Sequence, residues 1–130
     1  MKQATKLELR QMQPLMSELN IVGLPTDKAL AILKLHRKVL DISTEHDNMQ
    51  RDLIDKYAIP IVDGHKLDEK SENYKEYSEA YDAFVNETVN LDEYCVLTEE
   101  ESFIAVSKVK APMMTLDLLA KFLTKETENN

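Results

Sequence analysis

Two glycines in 130 residues leave little scope for a glycine-rich phosphate loop or a dinucleotide-binding fingerprint. A single cysteine, Cys95, excludes an internal disulfide and makes a reducing compartment the natural one. No apolar run approaches the ~20 residues of a membrane span. The opening residues, MKQATKLELR, lack the apolar core of a signal peptide, so neither a membrane anchor nor export is expected. With only four prolines beside the two glycines, long loops are disfavoured and helices favoured. An apolar fraction of 43% is too high for a disordered chain, and the length suits one domain over residues 1–130.

Charge is present but lopsided. The formal net charge is −8. Residues 1–60 carry nine Lys/Arg and eight Asp/Glu, while residues 61–130 carry seven and sixteen. Between Asp63 and Glu101 thirteen acids face three lysines. Nucleic-acid affinity comes largely from neutralising phosphates with cations, so no direct nucleic-acid binding is expected of that half. A basic protein surface would be attracted to it, and a solvated acidic face that keeps the chain soluble is the plainer reading.

Helical spacing dominates what is there. Thr5 and Glu8 stand at capping-box distance before Leu9, Met12, Met16 and Leu19, which share one face. A first helix over 5–20 is expected, kinked at Pro14; alternatively it begins at Pro14 and KLELR is a short strand. Gly23 and Pro25 mark a stop and a start. Ile32, Leu35, Val39, Ile42, His46, Met49, Leu53 and Tyr57 then recur at steps of three and four, with Ala29, Leu33, His36 and Leu40 as a shorter stripe beside them. That predicts one long helix over 25–57, packed on a partner along much of its length and compatible with a homodimer. A third helix is expected over 71–90, with Tyr74, Tyr77, Tyr81, Phe84 and Thr88 on one face and charge on the other. It should lie antiparallel on the long helix.

Pro60 and the Asp63-Gly64 pair place a small β-hairpin turn at 59–68, between the two helices. Residues 91–111 are ambiguous between a strand or hairpin, with Leu91, Tyr94 and Val96 inward, and a short helix started by Thr98 and Glu101. A last helix is expected over 112–124, followed by a disordered polar tail over 125–130. The fold class expected is α+β, mostly α: an antiparallel long-helix hairpin with an N-terminal helix, a small β element and a C-terminal helix. There is no internal repeat and no low-complexity segment.

Chemistry-bearing residues do not converge. Asp63, His65, Asp68 and Glu69 crowd the turn, but their order fits no calcium loop and no fourth zinc ligand is evident, so a polar turn is expected. His36 and His46 are about 15 Å apart along one helix, too far to share a metal. His46, within the apolar stripe, is expected to be a hydrogen-bonded residue at the core edge. Cys95 reads as a small buried residue. Met12, Met16, Met49, Met113 and Met114 could line an adaptable contact surface, with core packing as the alternative. No catalytic, cofactor-binding or metal-binding residue is assigned, and no enzyme is expected.

One combination goes further: LPTDKALAILKL, then RDLIDKY, a DG turn, ENYKEYSEAYDAFVNETVNL, LTEEE and a terminal apolar helix. This order resembles a family of small uncharacterised proteins of tailed bacteriophages and prophages, a domain of unknown function. The resemblance spans about residues 7–124; Pro14 departs from the uninterrupted first helix the family would have. It brings no catalytic residues. It implies a non-enzymatic phage protein in the host cytoplasm or the virion, acting on a protein partner such as a phage structural protein, as a virion component or assembly factor. The alternative is an acidic inhibitor covering the basic nucleic-acid groove of a host defence enzyme.

Overall fold

Thr5 and Glu8 do close a capping box in the computed structural model, which describes residues 2–57, 59–61, 64–66 and 72–126. The Glu8 N–H donates to Thr5 Oγ1 at 3.1 Å, and the Thr5 N–H donates to Glu8 Oε1 at 2.9 Å. Helix α1 (Lys6–Met16) follows. It runs through Pro14 and stops two residues later, short of the expected residue 20. Residues 17–19 continue as tight turns, with the Glu18 N–H bonded to Leu15 O at 3.0 Å. The KLELR stretch is helical, and the strand lies just before it, β1 (Gln3–Thr5).

Gly23 takes the left-handed backbone, φ 89°, at the break. Helix α2 (Thr26–Tyr57) then runs 32 residues, about 48 Å. Its stripe is buried only in part. Ile32, Leu35, Val39, Ile42 and His46 are covered, whereas Met49, Leu53 and Tyr57 are half-exposed. Beyond α2, β2 (Ile59–Ile61) and β3 (Gly64–Lys66) pair antiparallel as the expected hairpin, with Ile59 opposite Lys66. Ile61 stands opposite Gly64, so Gly64 belongs to the strand and not to a two-residue Asp63-Gly64 turn; residues 62 and 63 lie outside the described residues.

Helix α3 (Glu72–Val85) ends five residues before the expected residue 90. Thr88–Asn90 form β4 instead, antiparallel to β1 with Ala4 opposite Val89. The helical spacing of Thr88 after Tyr81 and Phe84 misleads because the β-branched Thr88-Val89 pair finds a strand partner more than eighty residues away, and tertiary pairing overrides local preference.

The ambiguous 91–111 stretch resolves as turns and a short helix. Asn90 Oδ1 accepts the Asp92 N–H at 2.8 Å and starts the turn. Leu91 and Tyr94 are buried as expected, but the only bridge is between Leu97 and Thr124 among the described residues of this stretch. Thr98 and Glu101 cap α4 (Glu99–Val106). Three glutamates in its first turn favour the helix N-terminus, which outweighs the β-branched character of FIAV. Helix α5 (Met113–Leu123) starts after Pro112. Its final carbonyls, of Lys121 and Thr124, accept from Lys2 Nζ at 2.6 and 2.8 Å. Lys125, expected in the disordered tail, is held by its N–H, which donates to Leu97 O at 2.8 Å; residues 127–130 of that expected tail lie outside the described residues.

The architecture is α+β and mostly α, with the long α2 and α3 as a helical hairpin. The core forms at one end of α2. Leu9, Met12 and Met16 of α1 and Leu35, Val39 and Ile42 of α2 meet Leu91 and Leu97, with Leu119 and Leu123 of α5.

Candidate functional site

A polar and aromatic seam joins α1, α2 and α3. Helix periodicity places Glu45, His46 and Asp47 where α2 leaves the core, opposite Lys6 and Arg10 of α1 and Tyr81 and Phe84 of α3. His46 is only 6% exposed. Its Nδ1 donates to Asp47 Oδ1 at 2.9 Å, because a carboxylate can only accept. Nε2 of the neutral ring then accepts from the Tyr81 hydroxyl at 3.0 Å. The two rings meet edge to face at 5.5 Å. Tyr81 stacks on Tyr77, and Tyr77 on Tyr74, at 6.2 and 6.4 Å.

Lys6 Nζ is held by Glu45 at 3.0 Å and Glu87 at 2.8 Å, and sits 4.5 Å over the Phe84 ring. Those hydrogen bonds, Glu87's foremost, push the Lys6 ammonium above its usual range. Arg10 Nε meets Asp47 at 3.2 Å. The His46 hydrogen bond holds the Asp47 carboxyl below its usual value, and burial raises the Tyr81 phenol. An aspartate, histidine and tyrosine in series could pass a proton. Here each has a partner, the phenol is held protonated, and the grooves described next are lined by other residues, so the arrangement fits a clamp between helices.

The second feature is apolar and lies on α4 and α5. Ser102, Ala105 and Val106 face the core, which turns Phe103 and Ile104 outward, 56% and 50% exposed. Met113 and Met114 open α5 at 82% and 87%. Phe103, Val106, Met113, Leu116, Asp117 and Ala120 line an open groove of about 250 Å³. A second groove, about 440 Å³, runs along Gln11, Met12, Met114, Thr115 and Leu118. Phe103 also borders a wider cleft of about 730 Å³ that includes Lys2, Thr98, Glu99 and Lys121.

The residues singled out from sequence are scattered. Asp63, Asp68 and Glu69 lie outside the described residues, as do their contacts with His65. His36 is half-buried on α2, three turns from His46. Among the described residues no three His, Cys, Asp or Glu side chains are placed to hold a metal. Cys95 is buried, donates Sγ–H to Phe122 O at 3.0 Å, and burial pushes its thiol up to about 11. Met12 and Met16 are core residues, so of the five methionines only Met113 and Met114 are exposed and Met49 is half-buried. Phe103 and Ile104 escaped the sequence reading. The Thr98–Glu101 cap was the available signal: once it sets a helix, Phe103 and Ile104 fall opposite Ser102, Ala105 and Val106.

No family model, curated protein or solved structure matches the chain. Among the described residues no helix is long and apolar enough to cross a membrane.

Proposed function

We propose that the chain is a non-enzymatic bacteriophage protein that works through protein–protein contacts, as a virion component or assembly factor. The observation that carries the contact reading is the exposure of Phe103, Ile104, Met113 and Met114 on α4 and α5, with Phe103 and Met113 lining one open groove and Met114 a second. Covering a Phe or Met side chain is worth ~1.5–3 kcal/mol each, and clustered exposure of this kind marks interaction sites. Met113 and Met114 suit such a site because an unbranched thioether adapts to its neighbour. The phage assignment rests on the resemblance of the helix-start, RDLIDKY and DG-turn order. Affinity capture from phage-infected cells tests it. The wild-type chain should recover a phage structural protein and a Phe103→Asp/Met113→Asp variant should not; recovery of none, or equal recovery by both, overturns the reading.

The exposed face of α3 supports a second reading. Glu72, Glu76, Glu79 and Asp82 all face solvent. They would cover a basic nucleic-acid groove on a host defence enzyme. Capture of such a partner should collapse as salt rises, because exposed charges are screened over ~10 Å at 0.1 M. An apolar contact through Phe103 should persist.

A further inference from the structure

A second exposed apolar strip lies on α2, away from the Phe103 groove. Leu30, Leu33 and Leu40 are 49%, 45% and 40% exposed. With Arg37 between them they follow steps of three, four and three, the spacing of a helix–helix seam, over about 15 Å. Lys34, Arg37 and Lys38 are exposed here and make no ion pair or hydrogen bond among the described residues. With three cations against the exposed Asp41 on the same face, the strip is apolar and net cationic, in a chain of net charge −8.

The outward face of α4 has the opposite character. Phe103 and Ile104 follow Glu99 and Glu100, both exposed and likewise without a partner among the described residues. The two surfaces cannot satisfy one another within a single copy. Lys28 Nζ binds Glu101 at 2.6 Å and fastens the start of α4 to one side of α2. Leu30 is two residues on, about 200° around the helix, and so faces away from α4.

We infer that the chain assembles head to tail, the Leu30–Leu33–Leu40 strip of one copy seating on the Phe103–Ile104 face of the next. Leucines meet Phe103, Ile104 and Met113, while Lys34, Arg37 and Lys38 meet Glu99 and Glu100. Like charge on a strip opposes its pairing with itself, whereas the acid-edged face attracts it. A contact between different surfaces leaves one of each free at the ends, so assembly continues into a ring or a filament. The inference rests on the contact reading of the Phe103 surface and names what occupies it.

Sedimentation velocity at low salt, with charge exchange, tests it. The wild-type chain should grow beyond a dimer as concentration rises, and growth should recede with added salt. Lys34→Glu/Arg37→Glu/Lys38→Glu and Glu99→Lys/Glu100→Lys should each sediment as monomers, having like charge on both surfaces. Mixed in equal amounts they should assemble again, which also shows that both are folded. A monomeric wild type, a glutamate variant that associates as wild type does, or a mixture that stays monomeric overturns the inference. If the wild type is monomeric yet still captures a phage protein through Phe103, only self-assembly falls and the contact reading stands.

Discussion

Replacing Tyr81 with Phe removes one oxygen from the seam between α2 and α3 and leaves its packing in place. The ring keeps its edge-to-face contact with His46, so the change isolates the 3.0 Å hydrogen bond to Nε2. Asp47 accepts from Nδ1, which fixes Nε2 of the neutral ring as an acceptor. Without the hydroxyl that nitrogen has no donor in a site only 6% open to solvent. A buried acceptor left unmatched costs ~1–3 kcal/mol. Tyr81 itself is half-buried, so water reaches part of the site and the lower part of that range, about 1–2 kcal/mol, is expected. His46→Leu in the Tyr81→Phe background removes the stranded acceptor. The double variant should then be more stable than the sum of the single losses by about 1 kcal/mol. Urea unfolding at neutral pH measures this from the midpoint, with an unchanged slope showing that the same surface unfolds. A Tyr81→Phe loss under about 0.5 kcal/mol, or strict additivity, would refute the claim that this bond clamps the hairpin.

Three further outcomes follow from burial and charge. Leu35 is fully enclosed, so Leu35→Ala should cost about 3–4 kcal/mol by urea unfolding, while Leu33→Ala, at the surface, should stay within about 0.5; equal losses would contradict the placement of the two stripes. Val85 is the one buried residue α3 contributes among the described residues, so its amides should exchange with deuterium faster than those of residues 32–46 in α2. Slower exchange in α3 would place the stable unit elsewhere. Lys28, then the Thr98 backbone, hold the Glu101 carboxyl down at about 2 against an ordinary 4.5. Its stabilising contribution is complete above about 4.5 and lost as pH falls towards 2. Glu101→Gln should therefore lower the thermal midpoint at neutral pH and flatten its decline across that window; an unaltered acid limb would count against the ion pair.

Much of the architecture was legible because it is written in short-range signals. The capping boxes of Thr5–Glu8 and Thr98–Glu101 act over three residues. Gly23 and Pro25 separate α1 from α2, and Pro60 with the DG pair signalled the hairpin of β2 and β3, though Gly64 falls in the strand opposite Ile61. The α2 stripe needed only the helix repeat. The same local reading misjudged α3, because Thr88 continues a helical spacing yet belongs to β4. It left 91–111 open, since FIAV favours a strand and only the cap and the inward Ser102, Ala105 and Val106 select the helix. The His46 seam was half visible: a histidine in an apolar stripe calls for a partner, but nothing in its vicinity names Tyr81, thirty-five residues on.

By itself, then, the order of residues determined where α1, α2, α3 and α5 begin and which faces are apolar, since caps, turns and helix periodicity work between close neighbours in the chain. The tertiary structure alone decided which apolar faces are covered. Leu35 and Leu33 are two residues apart with equal hydrophobicity, and one is enclosed while the other meets solvent. It also decided the β1–β4 pairing and the exposure of Phe103. Burial and strand pairing depend on what lies across space, and three-residue strands draw their hydrogen bonds from partners that local signals cannot see.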